Sequence, residues 1–250
     1  MLMWLTLVAQ LALADDDSSF DHAHTKLTAF LDGAVDARGV DYALLASRRD
    51  QLDAYLAGVQ EVDAAGLSRP QQLALYVNAY NAYTLALMLD NGPPRSIQDL
   101  DGGKVWDTRT FVVAGQPLTL NQMEHEHARE LADGRIHAVV SCASRGCPPL
   151  PSRALTSSGQ SAQLDAAARA WASSNAFTLE GDTIALSKIF DWYSGDFAPA
   201  RRGDLAEVEG PAEAALWFLS SFVDEATRDK LLSGTLSARW QDYDWSINKR

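Results

Sequence analysis

The stretch Ser68–Pro94, SRPQQLALYVNAYNAYTLALMLDNGPP, decides how the rest of the chain is read. Ser68, Pro70 and Gln71 combine an N-cap hydroxyl, a proline in the first turn and a capping-box amide, so a helix starts here. It runs to about Asp90 and stops at Asn91-Gly92-Pro93-Pro94, which cannot continue helical hydrogen bonding. Its residues are apolar nearly all round, the pattern of a helix buried on every side. Asn78 and Asn81 interrupt that surface three residues apart, on one face. An unpaired amide buried there costs on the order of 1 to 3 kcal/mol. The two either bond neighbouring backbone or line a polar pocket, and both readings stay open at this level.

Before this helix, Asp21 to Val35 and Tyr42 to Val59 carry apolar residues at three-and-four spacing with Gly39 between them, predicting two helices. After it the pattern changes. Lys104 to Val113 reads as strand, and Gly115-Gln116 turns a hairpin. Thr119 to Gln122 is a second capping box, opening a short helix through Leu131. Arg135 to Ser141 alternates as a strand, and Phe177 to Leu186 folds about Glu180-Gly181-Asp182 as a second hairpin. Helices over Gln163 to Ser173 and Ala212 to Val223, and an aromatic strand near Tyr243-Asp244-Trp245, complete the order. N-terminal helices followed by a mainly antiparallel sheet define an α+β class, expected as a single domain over residues 20–248.

Seven Trp, seven Tyr and eight Phe spread along the chain are those of a packed protein. The net charge of -12 comes from scattered acidic residues, giving a surface that repels phosphate backbones, so no nucleic-acid partner is expected. Residues 1–14 join an uncharged apolar run to Ala12-Leu13-Ala14, followed by three Asp, the signature of a secretory signal peptide. The run is too short to span a bilayer comfortably. The expectation is export to the periplasm or the exterior, with no stable membrane insertion after cleavage. His22 and His24, just beyond, are expected at the surface.

The chemistry concentrates in Arg135–Leu150, RIHAVVSCASRGCPPL. A strand-borne His137 leads into a loop presenting Cys142, Ser144, Arg145 and Cys147, with both cysteines of the chain five positions apart. Gly146 permits an unusual dihedral before Cys147, and Pro148-Pro149 fixes the backbone after it. A thiol near imidazole and guanidinium has a lowered pKa, the usual route to a nucleophilic cysteine. An exported chain with two such close cysteines equally suits a local disulfide. Cys147, Cys142 and His137 are therefore the catalytic candidates, and Asn78, Asn81, Glu124, His125, Arg129 and Arg135 the binding candidates. Glu124-His125-Glu126-His127 is no metal box, because two His two apart on a helix lie about 200 degrees around from each other. Glu124 instead faces inward with Leu120 and Met123, while His125 and Arg129 share one side. No metal and no cofactor is implied.

Taken together, YVNAYNAYTLALML from Tyr76, SIQDL from Ser96, LTLNQMEHEHAREL from Leu118, RIHAVVSCASRGCPPL from Arg135, LSKIFDWYSGDF from Leu186 and YDWSIN from Tyr243 resemble the domain-of-unknown-function family 547. His127 and Ala128 stand where that family usually has apolar residues. The family's helix-then-sheet order is similar to a papain or transglutaminase type core, where a helix N-terminus supplies Cys and a following strand supplies His. The resemblance implies that His137 matches the strand His, and that Asn81 or a helix neighbour stands at the nucleophile position. An amide cannot attack a carbonyl, so the thiol comes from the Cys142 to Cys147 loop or hydrolysis has been lost. Two readings follow. One is a pocket protein that binds a small peptide-like or thiol ligand; the other is a thiol-dependent hydrolase or transferase acting on an amide bond in the cell envelope.

Overall fold

The computed structural model describes residues 20–250, and the signal peptide expected over residues 1–14 lies outside them. Helix α1 (Thr25–Leu31) is followed by the two-residue strands β1 (Val35–Asp36) and β2 (Gly39–Val40), then α2 (Tyr42–Ala46), α3 (Arg49–Glu61) and α4 (Arg69–Asp90). The second expected helix is thus two. Ser47 ends the first by donating its hydroxyl to the Leu44 carbonyl at 2.7 Å.

Helix α4 begins where its capping residues place it, with the Gln71 side-chain oxygen accepting from the Ser68 amide at 3.0 Å. Every residue from Leu73 to Met88 is buried. The helix is the spine of the larger hydrophobic cluster, which gathers α1, α3, α4 and the apolar side chains of the segment 118–164.

Beyond α4 come α5 (Val105–Thr108), β3 (Thr110–Val113) and β4 (Gln116–Thr119). Trp106 lies on a helical turn instead of the expected strand, because Asp101 accepts from Thr108 and Arg109 and ties the segment into a turn. The hairpin β3–β4 forms as expected, antiparallel, with Val113 opposite Gln116. Helix α6 (Leu120–Gln122) continues through a π-helical stretch over Met123–Ala128 into α7 (Arg129–Leu131), a single rod packed on α4.

Arg135 to Ser141 is not a strand. Gly134–Ala138 winds as a 3₁₀ turn, opened by the Asp133 side chain accepting from the Arg135 amide at 3.0 Å. The alternation that suggests a strand serves a different end. Ile136 and Val139 enter the larger core cluster while Ala138 enters a second one.

That second cluster is built from α8 (Gln160–Ala172), β5 (Phe177–Glu180), β6 (Thr183–Leu186), α9 (Lys188–Trp192), α10 (Ser194–Phe197), α11 (Gly210–Ser220), α12 (Glu225–Leu231) and β7 (Ser237–Trp240). Trp171, Phe190, Phe197 and Phe218 fill its centre, with Trp171 stacked on Phe190 at 4.6 Å between centroids. The expected hairpin β5–β6 is present, and β7 pairs parallel to β6.

The chain is therefore mixed α and β, but the expected large, mainly antiparallel sheet is replaced. Among the described residues there are a pair β1–β2, a pair β3–β4 and the three-stranded β5–β6–β7. The last strand falls at Ser237–Trp240 and not at Tyr243–Trp245, where Asp244 accepts from the Ser246 amide at 2.9 Å and turns the backbone out of extended pairing. No described helix is long and apolar enough to cross a membrane.

Candidate functional site

The two asparagines of α4 act as side-chain peptide groups. Asn81 donates to the Val139 carbonyl at 2.7 Å and accepts from the Ser141 amide at 2.9 Å. Asn78 does the same to Leu155, at 2.8 Å and 2.9 Å. Each amide replaces a strand neighbour for a segment that has none, satisfying buried backbone groups in both directions. Both are buried, and the small cavity they border contains none of the other candidates.

Asn81 holds the start of the cysteine loop, which is closed by a disulfide between Cys142 and Cys147, their Cα atoms 6.3 Å apart. Ala143 occupies the left-handed region at φ 63° inside this tight ring. Gly146 is not there for its dihedral, since it is absent from the positive-φ positions. It is there for room: a Cβ on it would stand 2.9 Å from the Tyr243 ring. The Tyr243 hydroxyl lies 3.2 Å from each sulfur and from the Ser144 hydroxyl.

The C-terminal segment delivers Tyr243 by binding the loop backbone. The amides of Arg145 and Gly146 donate to Ser246 and Asp244, and the Asn248 amide donates to Ala143. Asn248 and Arg250 then reach the N-terminal elements, through Tyr42 at 2.7 Å and Asp41 at 3.1 Å.

Over the disulfide opens a cavity of ≈ 320 Å³. Four candidates named from sequence line it: Glu124, His137, Cys142 and Cys147. The remaining wall is mainly aromatic: Tyr80 from α4, Trp106 from α5, Trp192 and Tyr193 from α9 and its C-cap, and Tyr243 and Trp245 from the C-terminal segment. Glu124 is 6 % exposed. Burial pushes its carboxyl up to about 7, against the pull of Arg129 and of the Tyr193 and Tyr80 hydroxyls.

His137 is 4 % exposed and stacks on Tyr193 at 4.3 Å. Its Nε2–H donates to Asp196 Oδ2 at 2.8 Å, so in the neutral ring Nδ1 is the free acceptor. Burial lowers the imidazole pKa, and Asp196 only partly restores it. Asp196 also receives Arg129 Nε at 2.6 Å. Burial works against the Asp196 charge, yet these two donors hold its carboxyl well below the usual carboxylate range. Among the described residues no hydrogen bond joins His137 to either sulfur.

Arg129 also contacts His125, so the expected pairing across one turn is present. Neither lines the cavity. His127 stacks flat on Tyr76, at 4.1 Å and 9°, which accounts for a polar ring at a half-buried position. Arg135 is remote from the cavity, paired with Asp133 at 2.8 Å and Asp165 at 2.7 Å. His24, expected at the surface, is 1 % exposed; its Nδ1 meets the Tyr55 hydroxyl at 2.9 Å and burial lowers its pKa to about 4. Phe20 packs edge-on against it and covers it, an arrangement that no periodicity in the sequence announces.

Sequence reasoning missed Asp196 and the aromatic wall. Their signal is the density of aromatic and acidic residues in FDWYSGDF and YDWSIN, far along the chain from the cysteines.

Residues 64–172 match the model of the family described as protein of unknown function, DUF547. No curated protein and no solved structure matches the chain. The DUF547 segment carries Tyr80, Trp106, Glu124, His137 and both cysteines, whereas Trp192, Tyr193, Asp196, Tyr243 and Trp245 lie beyond it. The cavity thus joins one half from the DUF547 segment to another from the chain that follows.

Proposed function

We propose that this chain is an exported ligand-binding protein whose cavity takes a small peptide-like or thiol ligand. One observation carries the reading: Glu124 from one stretch of the sequence and His137, Cys142 and Cys147 from another converge on a single aromatic-walled cavity of ≈ 320 Å³. A mostly apolar enclosure with a few convergent polar groups is the build of a small-molecule site. The disulfide supports the extracytoplasmic setting expected from the N-terminal sequence. It also gives a thiol ligand a reaction partner, since a ligand thiolate attacking one sulfur forms a mixed disulfide and releases the other as thiolate.

Calorimetric titration with N-acetyl-dialanine amide, and mass spectrometry after incubation with a small thiol, test the two ligand classes. Saturable binding or a mixed disulfide at Cys142 or Cys147 is expected. Neither heat nor adduct at millimolar ligand overturns the reading.

The second reading, a thiol-dependent hydrolase or transferase acting on an amide bond in the cell envelope, is favoured by His137, held by Asp196, bordering the same cavity as the sulfurs. It requires the disulfide to be reduced, because the thiolate is the nucleophile. Turnover of an aminoacyl anilide that depends on reductant and disappears in Cys147→Ser distinguishes it from binding alone.

A further inference from the structure

We infer that the cavity recognises the ammonium group of a small organic cation, held against the wall of Trp192, Trp245, Trp106 and Tyr243 and balanced by the Glu124 carboxylate. This rests on the reading of the cavity as a ligand site and names the charge its ligand carries.

The first ground is the shape of the aromatic wall. Trp106 and Trp245 meet at 62° with centroids 5.9 Å apart, and Tyr243 meets Trp245 at 55° and 4.5 Å. Trp192 stands 4.8 Å from Tyr243 at 47°. Trp192 and Trp245 stack at 24° with centroids 6.0 Å apart, so the four rings pack on one another as a continuous aromatic wall along the cavity. A cation within about 6 Å of several ring centroids is attracted by each ring face, and enclosure strengthens the attraction by removing water. Trp192 remains 47 % exposed and forms the rim.

The second ground is Glu124. Its side chain lines the cavity, and among the described residues no Lys, Arg or His nitrogen stands within 4.0 Å of its oxygens. Arg129, the cation that acts on it, places its Nε on Asp196 and its Nη1 on His125. The charged and titratable groups facing Glu124 are Arg129 on its own rod, Tyr80 on α4, and Tyr193 and Asp196 at α9 and α10, with Tyr243 from the C-terminal segment. Asp196 pairs with Arg129 at 2.6 Å and with Arg201 at 3.9 Å, and burial lowers the pKa of His137. An ionised Glu124 therefore has no cation in direct contact beside the rings, the place that an ammonium group fills. The overall charge of -12 adds attraction at longer range.

Binding then couples to a proton. With its carboxyl near 7, Glu124 is about one-tenth ionised at pH 6 and nine-tenths at pH 8, so a cation that needs the carboxylate binds roughly tenfold tighter at the higher pH.

The experiment titrates the whole protein calorimetrically with choline and with 3,3-dimethylbutan-1-ol, its neutral isostere, at pH 6 and pH 8. Choline is expected to bind at least tenfold tighter than the alcohol at pH 8, with that ratio falling about tenfold at pH 6. In Glu124→Gln the preference and its pH dependence both disappear. Trp192→Leu, at the exposed rim, keeps an apolar side chain and weakens choline alone by roughly threefold.

Equal affinity for choline and the alcohol overturns the proposal. Binding of N-acetyl-dialanine amide without binding of choline also overturns it, and leaves the ligand-site reading standing. If neither binds and no small thiol forms an adduct, both fail.

Discussion

Glu124 is the residue at which burial and charge conflict most directly. Its folded carboxyl is raised to about 7 from 4.5, so the folded state holds the proton more tightly than the unfolded chain. The associated stability is fully present below pH 4.5 and is lost as pH rises through 7, where a buried carboxylate with no cation in direct contact forms. Glu124→Gln, which carries no charge, is expected to raise thermal stability at pH 8 by on the order of 3 kcal/mol and to change little at pH 4.5. Melting curves of the two proteins at both pH values check this; an equal effect at each pH contradicts it. A helical pattern reading alone places Glu124 inward, but it contains nothing of the Tyr80 and Tyr193 hydroxyls, which arrive from distant segments.

Asn81 conflicts with its element in a different way. Asparagine is a poor helix residue, yet this amide makes both hydrogen bonds that a strand neighbour would make to Val139 and Ser141. Asn81→Ala strands a buried donor and a buried acceptor, and urea unfolding is expected to show a loss of roughly 2 to 4 kcal/mol. Asn81→Asp keeps the acceptor for the Ser141 amide but sets a buried carboxylate oxygen against the Val139 carbonyl, so at neutral pH a loss at least as large is expected.

At the scale of elements, α4 and the hairpins β3–β4 and β5–β6 are the parts most legible in sequence. Their signals are local: a capping box, a proline in the first turn, a two-residue turn between alternating runs. The segment 135–141 misleads because its apolar residues alternate for two cores, not for two faces of a sheet. The cysteine loop that follows is an element held by a covalent bond. Replacing Cys142 and Cys147 by Ala is expected to cost about 2 kcal/mol in urea unfolding, since a short loop restricts the unfolded chain modestly. Thiol titration of the unreduced protein should find no free thiol; one fast-alkylating thiol near pH 7 would contradict the bond. Gly146→Ala tests the same element from the other side, because the added methyl collides with the Tyr243 ring that covers the disulfide.

At the scale of the whole molecule, the C-terminal segment ties β1 and α2 to the site. It bonds the cysteine loop through Asp244, Ser246 and Asn248, and the N-terminal elements through Asn248 and Arg250. A chain ending at Gln241 loses Tyr243 and Trp245 from the cavity wall as well as these bonds. It is expected to be less stable by on the order of 3 kcal/mol and to lose ligand binding. Urea unfolding and calorimetry of the shortened chain test the two losses separately.

The sequence by itself determined the helical first half, the buried central helix with its caps, the inward Glu124, and the proximity of two cysteines to His137. Each of these depends on residues within a turn or a loop of one another, where spacing fixes geometry. Only the tertiary structure decided that the two asparagines bond backbone, that His24 is buried, that His137 faces Asp196, and that aromatic residues more than forty positions beyond the cysteines roof them. Those relations are set by which segments share a core, and a single chain's periodicity records that a face is buried without recording what covers it.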